Sequence, residues 1–254
     1  SEVGTSQRHN GKWDTSKYYL QNGIWIKAGH VRIEGLQIYN TSIAGNGERG
    51  VIINGGAAVA DYRVSDNIIR SVTDNTYYYY GISVAGAGTA GSILRAWNNI
   101  IYAFNGTNGY GITLNDADFT AYVYNNTVYN CATGYQRYTD GGTFIARNNI
   151  AYNNTDNWLG IFDTTNSANN LSGPSSDAQT PGGNAQNPGT VAFVNTTAGS
   201  EDFHLAPTDA GARNLGTNLS ADANLAFNTD IDGTVRAGTW DIGVDENIRQ
   251  IYYS

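Results

Sequence analysis

The stretch AWNNIIYAFNGTNGYGITLNDADFTAYVYNNTVYNCATGYQRYTDGGTFIARNNIA (96–151) repeats one short phrase three times, as AWNNII (96–101), VYNNTV (123–128) and ARNNIA (146–151). Each copy reads apolar, any, polar, Asn, any, apolar. VSDNII (64–69) extends the series upstream, and NSANNLS (166–172) extends it more weakly downstream. IEGLQI (33–38) keeps the frame with Leu36 in place of Asn. Aligned on Leu36, Asn67, Asn99, Asn126, Asn149 and Asn170, the spacings are 31, 32, 27, 23 and 21 residues.

A second series runs beside it: GVII (50–53), GISV (81–84), GITL (111–114), GYQR (134–137) and GIFD (160–163), spaced 31, 30, 23 and 26 residues. Two series advancing together imply one supersecondary unit per repeat with at least two strands in it. Apolar positions alternate with period two, which excludes helical repeats. The units are too short for propeller blades of roughly 40–50 residues. What remains is an all-β, single-stranded right-handed parallel β-helix, a solenoid whose coils pair with their neighbours. In this frame Val123 and Val128 point inward. The second Asn of each pair is expected at a corner, where left-handed backbone angles suit Asn. Stacked one coil apart, such amides can form a hydrogen-bonded ladder.

Composition agrees. The chain has 254 residues, 40% apolar and only 14% charged, with 31 glycines, 18 tyrosines and 4 prolines. Polar character therefore falls to Asn, Ser, Thr, Tyr and Gly, as expected for short strands joined by turns. The net charge of −8, without a basic run, argues against a nucleic-acid partner. No apolar run reaches the ~18 residues of a membrane helix. Cys131 is the single cysteine, which excludes an intramolecular disulfide and cysteine-cluster zinc sites.

The coils resemble the pectate-lyase-like superfamily of right-handed β-helix proteins over roughly residues 24–172. FVNTTAGSEDFHLAPTDAGARNLG (193–216) and DIDGTVRAGTWDIGVDE (230–246) resemble the closing module of secreted bacterial β-helix proteins that carry a choice-of-anchor region. The resemblance implies a secreted or cell-surface protein of bacterial or phage-like origin, acting on a polysaccharide or cell-surface glycan. No sorting tail follows Glu246, only NIRQIYYS, which puts anchoring in doubt. The expected organisation is an irregular segment over 1–23, coils over 24–172, a linking loop over 173–190 and a closing segment over 191–254 that covers the bottom of the stack.

Alternation gives outward columns. Arg63 and Arg95 form one, and Ser65, Trp97, Tyr124 and Arg147 form another. Arg70 leads into Tyr102, Tyr129 and Tyr152. Aromatic columns offer platforms for sugar rings, so Trp97, Tyr102, Tyr124, Tyr129 and Tyr152, with Arg147, are the expected substrate-binding residues. The YYYY run (77–80) would wall one side of a groove. The Gly-led strands end in acids, and the resemblance places substrate clefts on this face. Asp116, Asp140 and Asp163 with Arg137 are the expected catalytic residues. Arg137 and Asp163, each three residues after its glycine, are expected to meet as an inward pair. A lyase needs a base, plus calcium or basic groups against the substrate carboxylate. A hydrolase needs two carboxyls, here Asp116 and Asp140. Calcium is thus the one cofactor considered, and no metal ligands are assigned. Asp230 and Asp232 read as a turn, and His204 as a packing residue. The alternative is a non-catalytic glycan-binding, adhesin or structural module.

Overall fold

A computed structural model describes residues 7–41, 49–71, 78–86, 88–138 and 140–247, with the side chain of Arg49 excepted. Three parallel sheets make the body, so each coil has three strands, one more than the expected minimum of two. The first sheet has seven strands: Leu20–Gln21, Gln37–Asn40, Ile68–Ser71, Ile100–Tyr102, Thr127–Tyr129, Ile150–Tyr152 and Leu171–Gly173. The second has six, the Gly-led ones: Ile24–Ile26, Arg49–Ile53, Tyr78–Val84, Asn108–Leu114, Thr133–Arg137 and Asp156–Gly160. The third has five, ending at the Asn corner: Arg32–Glu34, Asp61–Ser65, Ser92–Trp97, Phe119–Tyr124 and Thr143–Arg147. The chain is therefore an all-β parallel solenoid.

The core follows from period two. Val64, Ala96, Val123 and Ala146 stack from the third sheet, with Ile69, Ile101, Val128 and Ala151 from the first and Ile82 and Ile112 from the second. Glycines 81 and 111 let these coils close. A Cβ at Gly81 would lie 2.4 Å from the Ile101 side chain, and one at Gly111 would lie 2.3 Å from the Gly134 carbonyl.

Both Asn positions of each pair have a job, and the roles differ from the expectation. The left-handed corner is the first member: Asp66, Asn98, Asn125, Asn148 and Asn169 have φ between 49° and 56°. The second member forms the ladder. Asn99 Nδ2 donates to Asn126 Oδ1 at 2.9 Å, Asn126 Nδ2 to Asn149 Oδ1 at 3.0 Å, and Asn149 Nδ2 to Asn170 Oδ1 at 3.1 Å. The reason is direction. After the turn, the second side chain points into the barrel beside the strand-end carbonyls, to which its amide also donates, and the first points out.

The closing segment takes a different path from the one expected. It runs back along the side of the stack. The outward Asn side chains hold it: Asn98 Nδ2 donates to Thr229 O, Asn125 Nδ2 to Gly243 O, Asn148 Nδ2 to Thr217 O and Asn169 Nδ2 to Leu215 O, at 2.7–2.9 Å. Residues 173–190 are not a plain linker either. Leu171 bridges Gln186 and Ala168 bridges Gly183 in parallel, adding a partial coil beneath the stack. Residues before Ile24 join the structure too, since Leu20–Gln21 pairs with Gln37–Asn40.

Candidate active site

The expected columns exist in register. Ser65, Trp97, Tyr124 and Arg147 align, as do Arg70, Tyr102, Tyr129 and Tyr152. The closing segment packs on Trp97, Tyr102, Tyr124, Tyr129, Tyr152 and Arg147, and Trp13 covers Arg70, which corrects their reading as an open sugar platform. Trp97 and Tyr124 pack with Leu219, Leu225 and Trp240, and Tyr124 is fully buried. Tyr102 and Tyr129 lie under Phe203, at 5.1 Å between ring centroids in both cases, and Tyr152 and Phe193 meet at 6.3 Å. Arg147 donates to Asp222 at 2.7 Å. The closing segment supplies Phe193, Phe203, Phe227 and Trp240 to this cover.

The acids expected to be catalytic build turns. Asp116 is buried and accepts from Gly88 N at 2.7 Å and Asp118 N at 2.9 Å. Asp140 is exposed on the next turn. Arg137 donates from Nε to Gly142 O at 2.9 Å and also to Gly141 O. Its register partner is Gly160, not Asp163. The Gly series breaks at its last member because Trp158 takes the inward place and stacks on Tyr135, at 4.2 Å and 11°. Asp163 therefore sits in a turn, accepting from Thr165 N and Asn166 N at 3.0 and 2.9 Å. Burial disfavours its charge, yet the Asn166 and Thr165 hydrogen bonds outweigh this and hold the carboxyl below its ordinary range.

The second sheet presents a different constellation on its outer face. Tyr80 and Tyr110 are register partners and stack at 5.1 Å and 16°. Tyr78, more than half exposed, lies parallel to Tyr110 at 6.5 Å and 5°. Tyr138 lies beside the hydroxyl ends of Tyr80 and Tyr110. Burial first, then these neighbours, raise the Tyr138 phenol well above its ordinary range, so it stays a neutral donor and acceptor. The same register continues from Tyr110 through Thr133 to Asp156. Two coil steps of about 4.8 Å each therefore put Asp156 roughly 10 Å along the face from Tyr110.

Asp156 opens onto a polar cleft of about 420 Å³ that Asn153, Asn154, Ser175, Ser176 and Asp177 help line. Burial, then the charge of Asp177 and a hydrogen bond to it, raise the Asp156 carboxyl above its ordinary range. Asp177 is fixed as the acceptor: Oδ2 takes Trp158 N at 2.7 Å and Oδ1 takes Gln179 N at 2.8 Å. Burial and the neighbouring Asp177 thus favour the protonated form of Asp156, the direction that general acid chemistry uses.

Neither Asp156 nor Asp177 stands out in sequence, because Asp177 lies in the stretch read as a linker. Tyr80 and Tyr110 did carry a signal, each being the residue before a Gly of the second series. Among protein-family models and curated proteins, none matches this chain.

Proposed function

We propose that the chain is an extracellular polysaccharide-degrading protein that binds a glycan along the outer face of its second sheet. Tyr78, Tyr80 and Tyr110 are the aromatic platform for sugar rings, and Tyr138 contributes a hydroxyl at its edge. Asp156 is the proton donor to the glycosidic oxygen, and Asp177 holds that proton in place until transfer. The observation that carries this reading is the shared register of the tyrosine stack and the carboxyl pair on one face. The resemblance of the coils and of residues 193–246 to secreted β-helix proteins supports it.

Non-catalytic glycan binding is the second reading, and one observation favours it. Asp156 and Asp177 are the two acids of the cleft lining and Asp177 is committed to Trp158 N and Gln179 N, whereas a glycoside hydrolase needs a second free carboxyl about 5–9.5 Å from its acid. Two variants separate the readings. Asp156→Asn should abolish cleavage, by at least about a hundredfold, while leaving glycan retention unchanged. Tyr110→Ala should weaken retention about tenfold, since an aromatic contact contributes roughly 1 kcal/mol or more. Retention by the wild type without product would leave the binding reading. Cleavage undiminished in Asp156→Asn would remove the assigned acid.

A further inference from the structure

Against the first sheet, three parts of the closing segment meet a short piece of the N-terminal region. His204 lies on the strand Asp202–Leu205, Asp232 in the DIDG turn and Asp245 near the end of the described chain. One ligand atom from each lies within 4.8 Å of the other two. We propose that His204, Asp232 and Asp245 bind a divalent transition-metal cation of the zinc class, which fastens the closing segment into one piece.

The side chains are held for this role. Asp202 takes the Nδ1 hydrogen of His204, which turns Nε2 toward Asp232. A carboxylate behind the ring is the usual support of a metal-bound histidine. Asp230 Oδ1 accepts from Asp232 N at 3.0 Å and Thr234 N at 2.7 Å, which shapes the turn that presents Asp232. Asp245 Oδ2 accepts from Leu205 N at 2.8 Å.

Two observations point to a ligand rather than to the histidine–carboxylate contact alone. Asp232 Oδ1 is enclosed and has no hydrogen-bond partner, an arrangement that costs stability unless something occupies it. Gly11, at φ +70°, is the backbone against the site, and a Cβ there would lie 2.2 Å from His204 Nε2 and 2.6 Å from Asp232 Oδ1. A side chain at position 11 would collide with both ligand groups.

Distance and charge also fit. His204 Nε2 and Asp232 Oδ2 are 2.8 Å apart. Two ligands on a tetrahedral zinc, each at about 2.0–2.2 Å, stand roughly 3.3 Å apart. Entry of the ion thus needs an opening of about half an ångström. The ion displaces the Nε2 proton to solvent, leaving a neutral imidazole ligand. Three carboxylates, Asp202, Asp232 and Asp245, then face the dication, with Lys12 3.8 Å from Asp202. A nitrogen ligand favours zinc over calcium, whose sites are built from oxygens.

The test is titration of chelator-treated protein with Zn²⁺, read by calorimetry and thermal unfolding, with Ca²⁺ in a parallel arm. One equivalent of Zn²⁺ should bind with release of about one proton, and raise Tm by roughly 5–10 °C at a hundredfold excess over Kd. Asp245→Asn, which keeps an acceptor for Leu205 N, should weaken Zn²⁺ binding at least about tenfold. No heat and no shift with Zn²⁺, unchanged affinity in Asp245→Asn, or tighter binding of Ca²⁺ than Zn²⁺ would each overturn the proposal.

Discussion

Asn126 accepts from both Asn99 N and Asn99 Nδ2, and its own amide donates to Ala96 O, Tyr124 O and Asn149 Oδ1. It is fully buried, so no water replaces these bonds. Asn126→Ala should destabilise the fold by about 2–5 kcal/mol, because several buried groups lose partners together. Chemical denaturation measures this, and a loss below about 1 kcal/mol would deny the ladder its role. His9 is also buried, and as a neutral ring it donates to Asp66 O and accepts from Gly11 N. Burial, then the Arg8 charge, lower its pKa from 6.5 to about 4. A lowered value means that the unfolded state takes up the proton first. The contribution of neutral His9 is therefore present above pH 6.5 and lost as pH falls through about 4. That loss is on the order of 3 kcal/mol. The buried Asp66 carboxyl, raised to about 6, works in the opposite sense over part of this window, so the comparison must be made between variants. Between pH 7 and pH 4.5 the wild type should lose more Tm than His9→Gln, whose amide can make both hydrogen bonds uncharged. Equal losses would contradict the assignment.

The outward Asn row is what joins the coil stack to the closing segment. Asn148 both donates to Thr217 O and accepts from Thr217 N, and Asn125 donates to Asp241 O and Gly243 O. Replacing Asn125 and Asn148 together by Ala should raise amide exchange across residues 212–246 while the coil strands stay protected. Uniform loss of protection would instead mean that segment and stack unfold as one unit. The two Asn rows also show what the sequence could reveal. Strand alternation and the 31- to 21-residue spacings are local signals, so the coils, the ladder and the columns such as Ser65–Trp97–Tyr124–Arg147 were legible. Which Asn of a pair turns the corner was not, because both residue types suit that backbone. That Tyr102 and Tyr124 are covered was not legible either. Their cover arrives from Phe203 and Trp240, about a hundred residues downstream, and outward positions look alike whether they meet water or another segment.

For the molecule as a whole, the closing segment divides the surface. Its apolar clusters take Ile68, Ile100 and Tyr102 of the first sheet and Trp97, Tyr124 and Ile145 of the third. Among the described residues, no side chain of the second sheet enters these clusters. That sheet carries the tyrosine stack and the Asp156–Asp177 cleft, and the parallel coils hold both along one line. The candidate site escaped the sequence because Asp177, one of its two acids, lies inside an apparent linker, which the structure folds into a partial coil. The most direct measurement is sizing of products after incubation with acidic and neutral polysaccharides, with and without calcium, using wild type and Asp156→Asn side by side. The account predicts shorter chains from at least one polysaccharide with the wild type and none with the variant. Intact polysaccharide throughout, or equal cleavage by both proteins, would contradict it.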